Sequence, residues 1–270
     1  MNCFERLLYI LQGEMNTPNP FGWFHWLCIV LMVIFILILY IRKKHYSEKQ
    51  LKIVLGTYGI IALTLEILKQ LIWSFNYDSI TNIITWDYQW YAFPFQLCTT
   101  PIYVSLICLF MKKTNIRDSL LSYMSFVTIL GSISTILMPD SCFTSDILVN
   151  IHTMWLHLGS FVVSIYLLIV EEVKVKFDYL KKSLIIFLIF VSIALFMNLL
   201  VYNSGILNSE TFNMFYISPY FISSLPVFDV IQQHVHYIIY LIIYTYAIAI
   251  GSGIIYYIAK IIKNISLKNN

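Results

Sequence analysis

Long apolar runs alternate with short polar stretches along this chain of 270 residues. A helix that crosses the hydrocarbon core of a bilayer needs about 20 mostly apolar residues. Backbone polar groups in lipid must find their partners within the segment, so each run is predicted to be helical. The pattern predicts seven spans, at residues 22–41, 51–73, 92–111, 116–138, 149–170, 183–203 and 236–260. We therefore expect an all-α polytopic membrane bundle that forms a single integral membrane domain over residues 1–270.

The composition agrees with this pattern. Hydrophobic residues make up 59% of the chain and charged residues only 11%, whereas soluble domains carry about 25% charged residues. The net charge of +3 is small, and no basic patch suggests a nucleic-acid partner. The predicted location is the cell membrane, as a multi-pass protein of the bacterial plasma membrane.

The lysines and arginines predict an orientation for the bundle. All 17 of them except Arg6 and Lys69 follow the first, third, fifth or seventh predicted span. Cytoplasmic loops carry the excess of basic residues in membrane proteins. The N-terminus is therefore predicted outside the cell and the C-terminus in the cytoplasm.

The alternate loops, predicted to be extracytoplasmic, carry no basic residue and are aromatic, with tryptophans at positions 73, 86 and 90. Aromatic residues of this kind are typical of a membrane interface. The last of these loops contains the apolar stretch "TFNMFYISPYFISSLPVFDVIQQHVHY", which Pro219 and Pro226 interrupt. We expect it to form a re-entrant or interfacial cap rather than a span.

Polar side chains inside the predicted spans converge at one depth. At about 1.5 Å per residue, Cys98 and Glu66 lie roughly 9 and 10 Å below the outer ends of their spans. His157 and Asn198 lie roughly 12 and 8 Å below theirs. Buried polar residues are costly in a membrane and mark functional sites by default. The pattern predicts a shared polar layer in the outer third of the bundle.

Each of these residues also has a structural interpretation. A single membrane asparagine such as Asn198 commonly joins helices by hydrogen bonds. Glu66 and Lys69 are three residues apart and could neutralise each other. His25 and His152 lie nearer the interface. Solvation by water there is enough to explain His152, whereas His25 is equally compatible with solvation and with a functional role. The role of general base is left open between His152 and His157.

The stretch "FPFQLCTTPIY" raises the case for Cys98. Pro101 lacks an N–H, so the Leu97 carbonyl loses a helical partner, or else Thr100 caps a helix that begins at Pro101. A thiol just before a helix N-terminus is favoured as thiolate, and free amides there could hold an oxyanion. A cysteine beside a neutral histidine is a nucleophile–base pair. We expect Glu66 to orient His157 and Asn198 to donate to an oxyanion.

The five cysteines show neither CxxC nor metal-ligand spacing, and no metal or cofactor is predicted. A disulfide between Cys3 and Cys142 stays open.

Several motifs, in order, resemble those of the YwaF-type bacterial integral membrane proteins, which are related to the transmembrane protein 164 acyltransferase family. The motifs are "FGWFHWLCIVL", which contains His25, "LEILKQLIW", "FPFQLCTTPIY", "HLGSFVVSIYLL", the span-six Asn198, "NMFYISP", which begins at Asn213, and "SLPVFDVIQQHVHYIIY". Gln96 stands where the family often has histidine. The resemblance covers nearly the whole chain.

The resemblance implies transfer of acyl chains between phospholipids through an acyl-cysteine, with Cys98 as nucleophile and His157 as general base. The predicted function is a membrane-embedded lipid acyltransferase or acyl hydrolase near the outer leaflet. Its substrate would be a phospholipid or lysophospholipid. The alternatives are a transporter or a small-molecule- or lipid-binding protein whose polar layer is a binding site, and a structural membrane protein. The sequence does not indicate the oligomeric state.

Overall fold

The computed structural model describes residues 1–268, apart from the side chains of Asp140, Ser141 and Leu267. Its helices are α1 (Cys3–Leu11), α2 (Trp23–Arg42), α3 (Glu48–Ser74), α4 (Thr100–Phe110), α5 (Asn115–Tyr123), α6 (Ile129–Leu137), α7 (Ile147–Ile169), α8 (Phe177–Asn203), α9 (Phe228–His234) and α10 (Tyr237–Lys268). Strands β1 (Phe75–Asp78) and β2 (Ile83–Trp86) form an antiparallel hairpin after α3. A π-turn at Met124–Thr128 joins α5 and α6 into one helical segment. The predicted all-α membrane bundle is confirmed.

Within the described range, six helical segments are long and apolar enough to cross a membrane. They contain between 23 and 30 residues each. They correspond to all the predicted spans except the third, with ends that differ from the predictions by up to about eight residues because polar flanks continue the helices.

The prediction of a continuous span over residues 92–111 is wrong in its first half. Residues 90–99 form a 3₁₀ turn followed by bends, and the helix begins only at Thr100. Pro94 and Pro101 account for this, because neither donates a backbone N–H and each restricts the residue before it. With 11 residues, α4 is about 16 Å long, roughly half of the hydrocarbon thickness. Cys98 therefore precedes a helix that is too short to cross the membrane by itself.

The chain around Cys98 satisfies its own backbone. The Thr100 hydroxyl donates to the Leu97 carbonyl at 2.8 Å, which replaces the bond that Pro101 cannot make. The N-cap of α4 is Thr99 rather than the predicted Thr100. The N–H groups of Thr99 and Thr100 both donate to the Gln96 carbonyl, at 3.0 and 3.2 Å. The amides expected to be free for an oxyanion are thus already occupied.

An ionic network joins three loops at one end of the bundle. The Arg117 guanidinium contacts Glu48 at 2.7 Å and Glu172 at 3.2 Å, and Lys113 contacts Glu172 at 3.1 Å. The Tyr46 hydroxyl also donates to Glu172, at 2.6 Å. Burial raises the pKa of Glu172, but the Tyr46 hydrogen bond and the two cations outweigh burial and hold the pKa below its ordinary value.

These loops follow the first, third and fifth predicted spans, and Lys263 near the end of α10 pairs with Glu171 at the same end. The four basic segments therefore lie together, as the charge pattern predicts. The opposite end is joined separately: the Trp73 indole donates to Asp146 at 3.3 Å, and the Trp90 amide donates to Glu210 at 2.8 Å. The chain thus alternates between two ends as a seven-pass topology requires, and the assignment of the basic end to the cytoplasm stays a prediction.

The main core lies among α3, α4, the α5–α6 segment, α7, α8 and α10. At the π-turn, the freed Met124 carbonyl accepts from Ser164 at 2.8 Å and from Thr128 at 3.0 Å. Helix α2 is peripheral and packs on α7. Only 11% of the residues in its apolar stretch are buried, compared with 67% in the α5–α6 segment. Cys3 is an exposed free thiol, so the disulfide left open between Cys3 and Cys142 is not formed.

Candidate functional site

Cys98 is half-buried against the main core, two residues before the first residue of α4. The ionisable groups near the thiol include Lys69 and Glu66 on α3 and also Tyr58 on α3 and Tyr216 from the last outer loop. The thiol therefore lies inside the protein, packed on apolar side chains and with ionisable groups nearby.

His157 lies on α7 and is half-buried. The backbone of Gly131 on α6 lies beside its ring. Ser160, one turn further along α7, lies beside the Tyr58 hydroxyl. Among the described residues no hydrogen bond or ion pair joins His157 to Cys98, so their pairing as nucleophile and base stays a prediction.

Glu66 is the centre of a buried ionic cluster, which contains Glu66, Lys69, Gln70 and His152. Its Oε1 contacts the Lys69 ammonium at 2.7 Å and accepts from the Gln70 amide at 2.8 Å. Its Oε2 lies 2.8 Å from Nε2 of His152. Gln70 also donates to the Ala92 carbonyl at 2.6 Å, so the cluster holds the start of the segment that carries Cys98.

The predicted contact between Glu66 and His157 is therefore wrong, because Glu66 binds His152. These two histidines are five residues apart, which places them roughly 140° apart around α7, so they face different neighbours. The expectation that His152 is solvated is also wrong, since it is only 4% exposed. The predicted neutralisation of Glu66 by Lys69 is confirmed.

His25 lies at the start of α2 and is fully buried. Its Nδ1 accepts from the Phe21 amide at 3.2 Å, and its ring packs edge-on against Phe143. Its Nε2 has no hydrogen-bond partner in the part of the chain that the structure describes. Interfacial solvation does not apply to this histidine, and its contacts are with the aromatic groups around α2.

The last outer loop forms a buried cap segment, defined as residues 211–227. It is not a span, as predicted, and its apolar side chains are fully buried at Phe212, Met214, Phe215 and Ile217. Non-helical backbone is tolerated at membrane depth where protein surrounds it. Phe215 and Tyr216 both have positive φ, at 58° and 59°, a strained conformation that side-chain contacts must support.

Three of the predicted site residues hold this cap segment in place. Gln96 donates to the Asn213 carbonyl at 2.9 Å and accepts from the Phe215 amide at 2.7 Å. Asn198 makes the same pair of bonds with Met214, at 3.0 and 2.7 Å. The Asn198 carboxamide is thus bound to backbone at both ends, which supports the structural interpretation and not the role of oxyanion donor.

Asn213 belongs to the cap segment and fixes its return. It accepts from the Ser218 amide at 2.8 Å and donates to the Phe221 carbonyl at 3.3 Å. Two tyrosines of α10 complete the support, because Tyr237 and Tyr240 donate to the carbonyls of the strained stretch. The cap segment is therefore rigidly attached above the half-length helix α4.

A groove of about 450 Å³ lies between α2, α3 and α7, and its lining is almost entirely apolar. Tyr58, Trp155 and Gly159 form part of its wall. A side chain at Gly159 would place Cβ only 2.9 Å from the Tyr58 ring, so the glycine permits this close packing. The sequence gives no signal for this groove, because it arises from the way three helices pack.

Within residues 1–268, apart from the undescribed side chains, no group of three histidine, cysteine or acidic side chains converges to hold a metal. The residues of interest are therefore a thiol, two histidines and the buried ionic cluster.

Comparison with known proteins gives one result. No curated protein and no solved structure matches the chain. A family model described as the TMEM164 family matches residues 20–262, a range that contains every candidate site residue named above. Since the match covers most of the 270 residues, the chain belongs to the TMEM164 family.

Proposed function

We propose that this multi-pass membrane protein is a thiol-dependent lipid acyltransferase. Cys98 is the nucleophile, His157 is the general base, and the reaction passes through an acyl-cysteine. The alternative outcome for the same intermediate is hydrolysis, in which water takes the acyl chain. The proposed location is the bacterial cell membrane.

The observation that carries the proposal is the position of Cys98, in a non-helical segment just before α4. The positive end of a helix dipole favours a thiolate. Two prolines and the bound cap segment keep the segment around Cys98 non-helical. A cysteine with only a packing role would not require such a conformation. Family membership supports the same assignment.

The groove between α2, α3 and α7 supports a lipid substrate. Its volume of about 450 Å³ falls in the range of small-molecule sites, about 300–1,000 Å³. Tyr58 belongs both to the groove wall and to the electrostatic surroundings of Cys98. We propose that an acyl chain of the substrate occupies the groove while its ester group reaches the thiol.

The proposed reaction has two balanced steps. His157 removes the Cys98 proton, and the thiolate forms a C–S bond to the ester carbonyl of a phospholipid. The C–O bond breaks, and the leaving lysophospholipid oxygen takes the proton from the imidazolium. An acceptor hydroxyl, from a lysophospholipid or water, then gives its proton to His157 and forms a C–O bond to the thioester carbonyl. The C–S bond breaks, and the Cys98 thiolate takes the proton back from His157. Proton transfer of this kind contributes about 10²- to 10⁴-fold to the rate.

Acyl exchange in proteoliposomes tests this proposal. Purified protein is mixed with a phospholipid that has an isotope-labelled acyl chain and with an unlabelled lysophospholipid, and labelled product is measured by mass spectrometry. Cys98→Ala should abolish transfer and His157→Ala should lower it by 10²-fold or more. Cys108→Ala is the matched control, since Cys108 is a fully buried thiol of α4. Transfer that persists in Cys98→Ala at the wild-type rate would refute the proposal.

One observation favours the second candidate, a transporter or binding protein. The buried ionic cluster holds the start of the 90–99 segment through Gln70, and buried ionisable groups with broken helices are typical of transport sites. A transporter should keep its function in Cys98→Ser, whereas a thiol enzyme should lose it. Retained growth or lipid phenotype in Cys98→Ser, with loss in Glu66→Gln, would favour this candidate.

A further inference from the structure

A second groove lies at the basic end of the bundle between α3 and α4, and it adjoins the apolar groove, with which it shares Ile53 and Thr57. Its volume is about 610 Å³, and its lining consists of Lys49, Lys52, Ile53, Gly56, Thr57, Ile60 and Leu109. The lining has two cations at one end and apolar groups elsewhere. This groove has no part in the proposed chemistry at Cys98.

The two lysines of the groove are not neutralised by the protein. Elsewhere at this end, Lys113 pairs with Glu172 and Lys263 with Glu171. Lys49 and Lys52 have no carboxylate within ion-pair distance among residues 1–268. Neighbouring Glu48 pairs with Arg117 instead. A negatively charged group of a ligand, placed beside Lys49 and Lys52, would pair with them.

The dimensions of the groove fit one leaflet of a bilayer. Lys49 and Ile60 are 11 positions apart on α3, a distance of about 16 Å along the helix. Half of the hydrocarbon thickness is about 15 Å. The lining residues of α3 recur at three- and four-residue spacing, so they share one face. Ile53 and Ile60 on that face are both more than half exposed, which leaves apolar surface for a chain below the lysines.

Gly56 and Leu109 form the floor of the groove. A Cβ at position 56 would lie in van der Waals contact with the Leu109 side chain, at 3.4 Å, so the glycine leaves additional space there. Thr57 is exposed and forms the adjoining wall. The groove is thus open towards the lipid along its length.

We propose that this groove binds an anionic phospholipid of the leaflet at the basic end, with its phosphate against Lys49 and Lys52 and an acyl chain along Gly56 and Ile60. Basic residues next to a membrane attract anionic lipid, and a lysine contributes about fivefold in affinity near such a surface. The apolar floor distinguishes this site from the other lysines at the same end, which offer charge without a groove.

Binding of phosphatidylglycerol to the full-length protein in detergent, measured by native mass spectrometry, tests the inference. The double variant Lys49→Gln/Lys52→Gln should bind it about 30-fold more weakly than the wild type, from two lysines at about fivefold each. Lys174→Gln/Lys176→Gln is the matched control: it removes the same charge from exposed positions after α7, and it should leave binding unchanged. Phosphatidylcholine should bind weakly to all three proteins.

A third variant tests the groove itself while keeping both lysines. Ile60→Trp, at a position that lines only this groove, should fill the groove and weaken phosphatidylglycerol binding, and glycerol 3-phosphate, which has no chain, should not compete with the lipid. Equal losses in the two lysine pairs, unchanged binding in Lys49→Gln/Lys52→Gln or Ile60→Trp, or competition by glycerol 3-phosphate would each overturn the proposal. Acyl transfer by the lysine variants reports separately on the reaction at Cys98.

Discussion

The Glu66→Gln substitution tests whether the buried ionic cluster stabilises the bundle. The side chains of Glu66 and Lys69 are 3% and 9% exposed, and the carboxylate contacts Lys69, His152 and Gln70. Glutamine has a similar shape but no charge, so the Lys69 ammonium would stay buried without its counter-ion. Breaking a buried ion pair from one side costs about 3–5 kcal/mol. We expect a loss of that size in the free energy of unfolding.

The assay is denaturant unfolding of the purified protein in detergent micelles, with variants compared under one condition. Glu171→Gln is the control, because this carboxylate also pairs with a lysine but its side chain is 60% exposed, and exposed pairs contribute at most about 1 kcal/mol. The double variant Glu66→Gln/Lys69→Gln should recover most of the loss, since it removes both charges.

Two results would refute the reasoning. One is a loss in Glu66→Gln no larger than in Glu171→Gln. The other is a double variant whose loss equals the sum of the two single losses, which would mean that Glu66 and Lys69 are not coupled.

Three further predictions address the cap segment, the basic end and the apolar groove. Asn198→Leu should lower the free energy of unfolding by about 2–4 kcal/mol, because both hydrogen bonds of Asn198 to the Met214 peptide are buried. Asn203 is exposed, and Asn203→Ala should change the free energy of unfolding by less than about 0.5 kcal/mol. Equal effects of the two substitutions in denaturant titrations would contradict this. The pKa of Glu172 is depressed in the folded protein, so this carboxylate contributes to the free energy of unfolding above its unfolded pKa, and the contribution is lost as pH falls through about 4 and below. Glu172→Gln should therefore make the melting temperature depend less on pH in this acid range. An unchanged dependence on pH would count against the prediction. Val162→Phe narrows the apolar groove. In the transfer assay, kcat/KM for long acyl chains should fall by about fourfold for each methylene displaced, and kcat/KM for short chains should not change. Equal losses for all chain lengths would show that the acyl chain does not occupy this groove.

The sequence predicts the spans and their alternation well, because both depend on quantities that are local to the chain. Apolar length identifies six helices, and the basic loops meet at one end as their charge predicts. The prolines flanking Cys98 were a local signal too, but their result, a helix of half the usual length, depends on the cap segment that fills the space above α4.

Pairings between helices are less accessible from the sequence, since depth along a helix does not specify the direction a side chain faces. Glu66 and His157 both lie in the predicted polar layer, whereas His152 is predicted nearer the interface, yet the side chain that contacts Glu66 is that of His152. The same limit applies to Asn198. Its depth suggests a role in catalysis, but its carboxamide is hydrogen-bonded to the Met214 backbone. The two grooves depend on packing among helices and have no sequence pattern of their own.

Trapping of the acyl-enzyme tests the central proposal most directly. Wild-type protein, incubated with phospholipid and quenched in acid, is analysed by peptide mass spectrometry before and after hydroxylamine, which cleaves thioesters. The account predicts an acyl adduct on the Cys98 peptide that hydroxylamine removes, present in Cys108→Ala and absent in Cys98→Ala. Acyl transfer without any adduct at Cys98, or with the adduct on another cysteine, would contradict it.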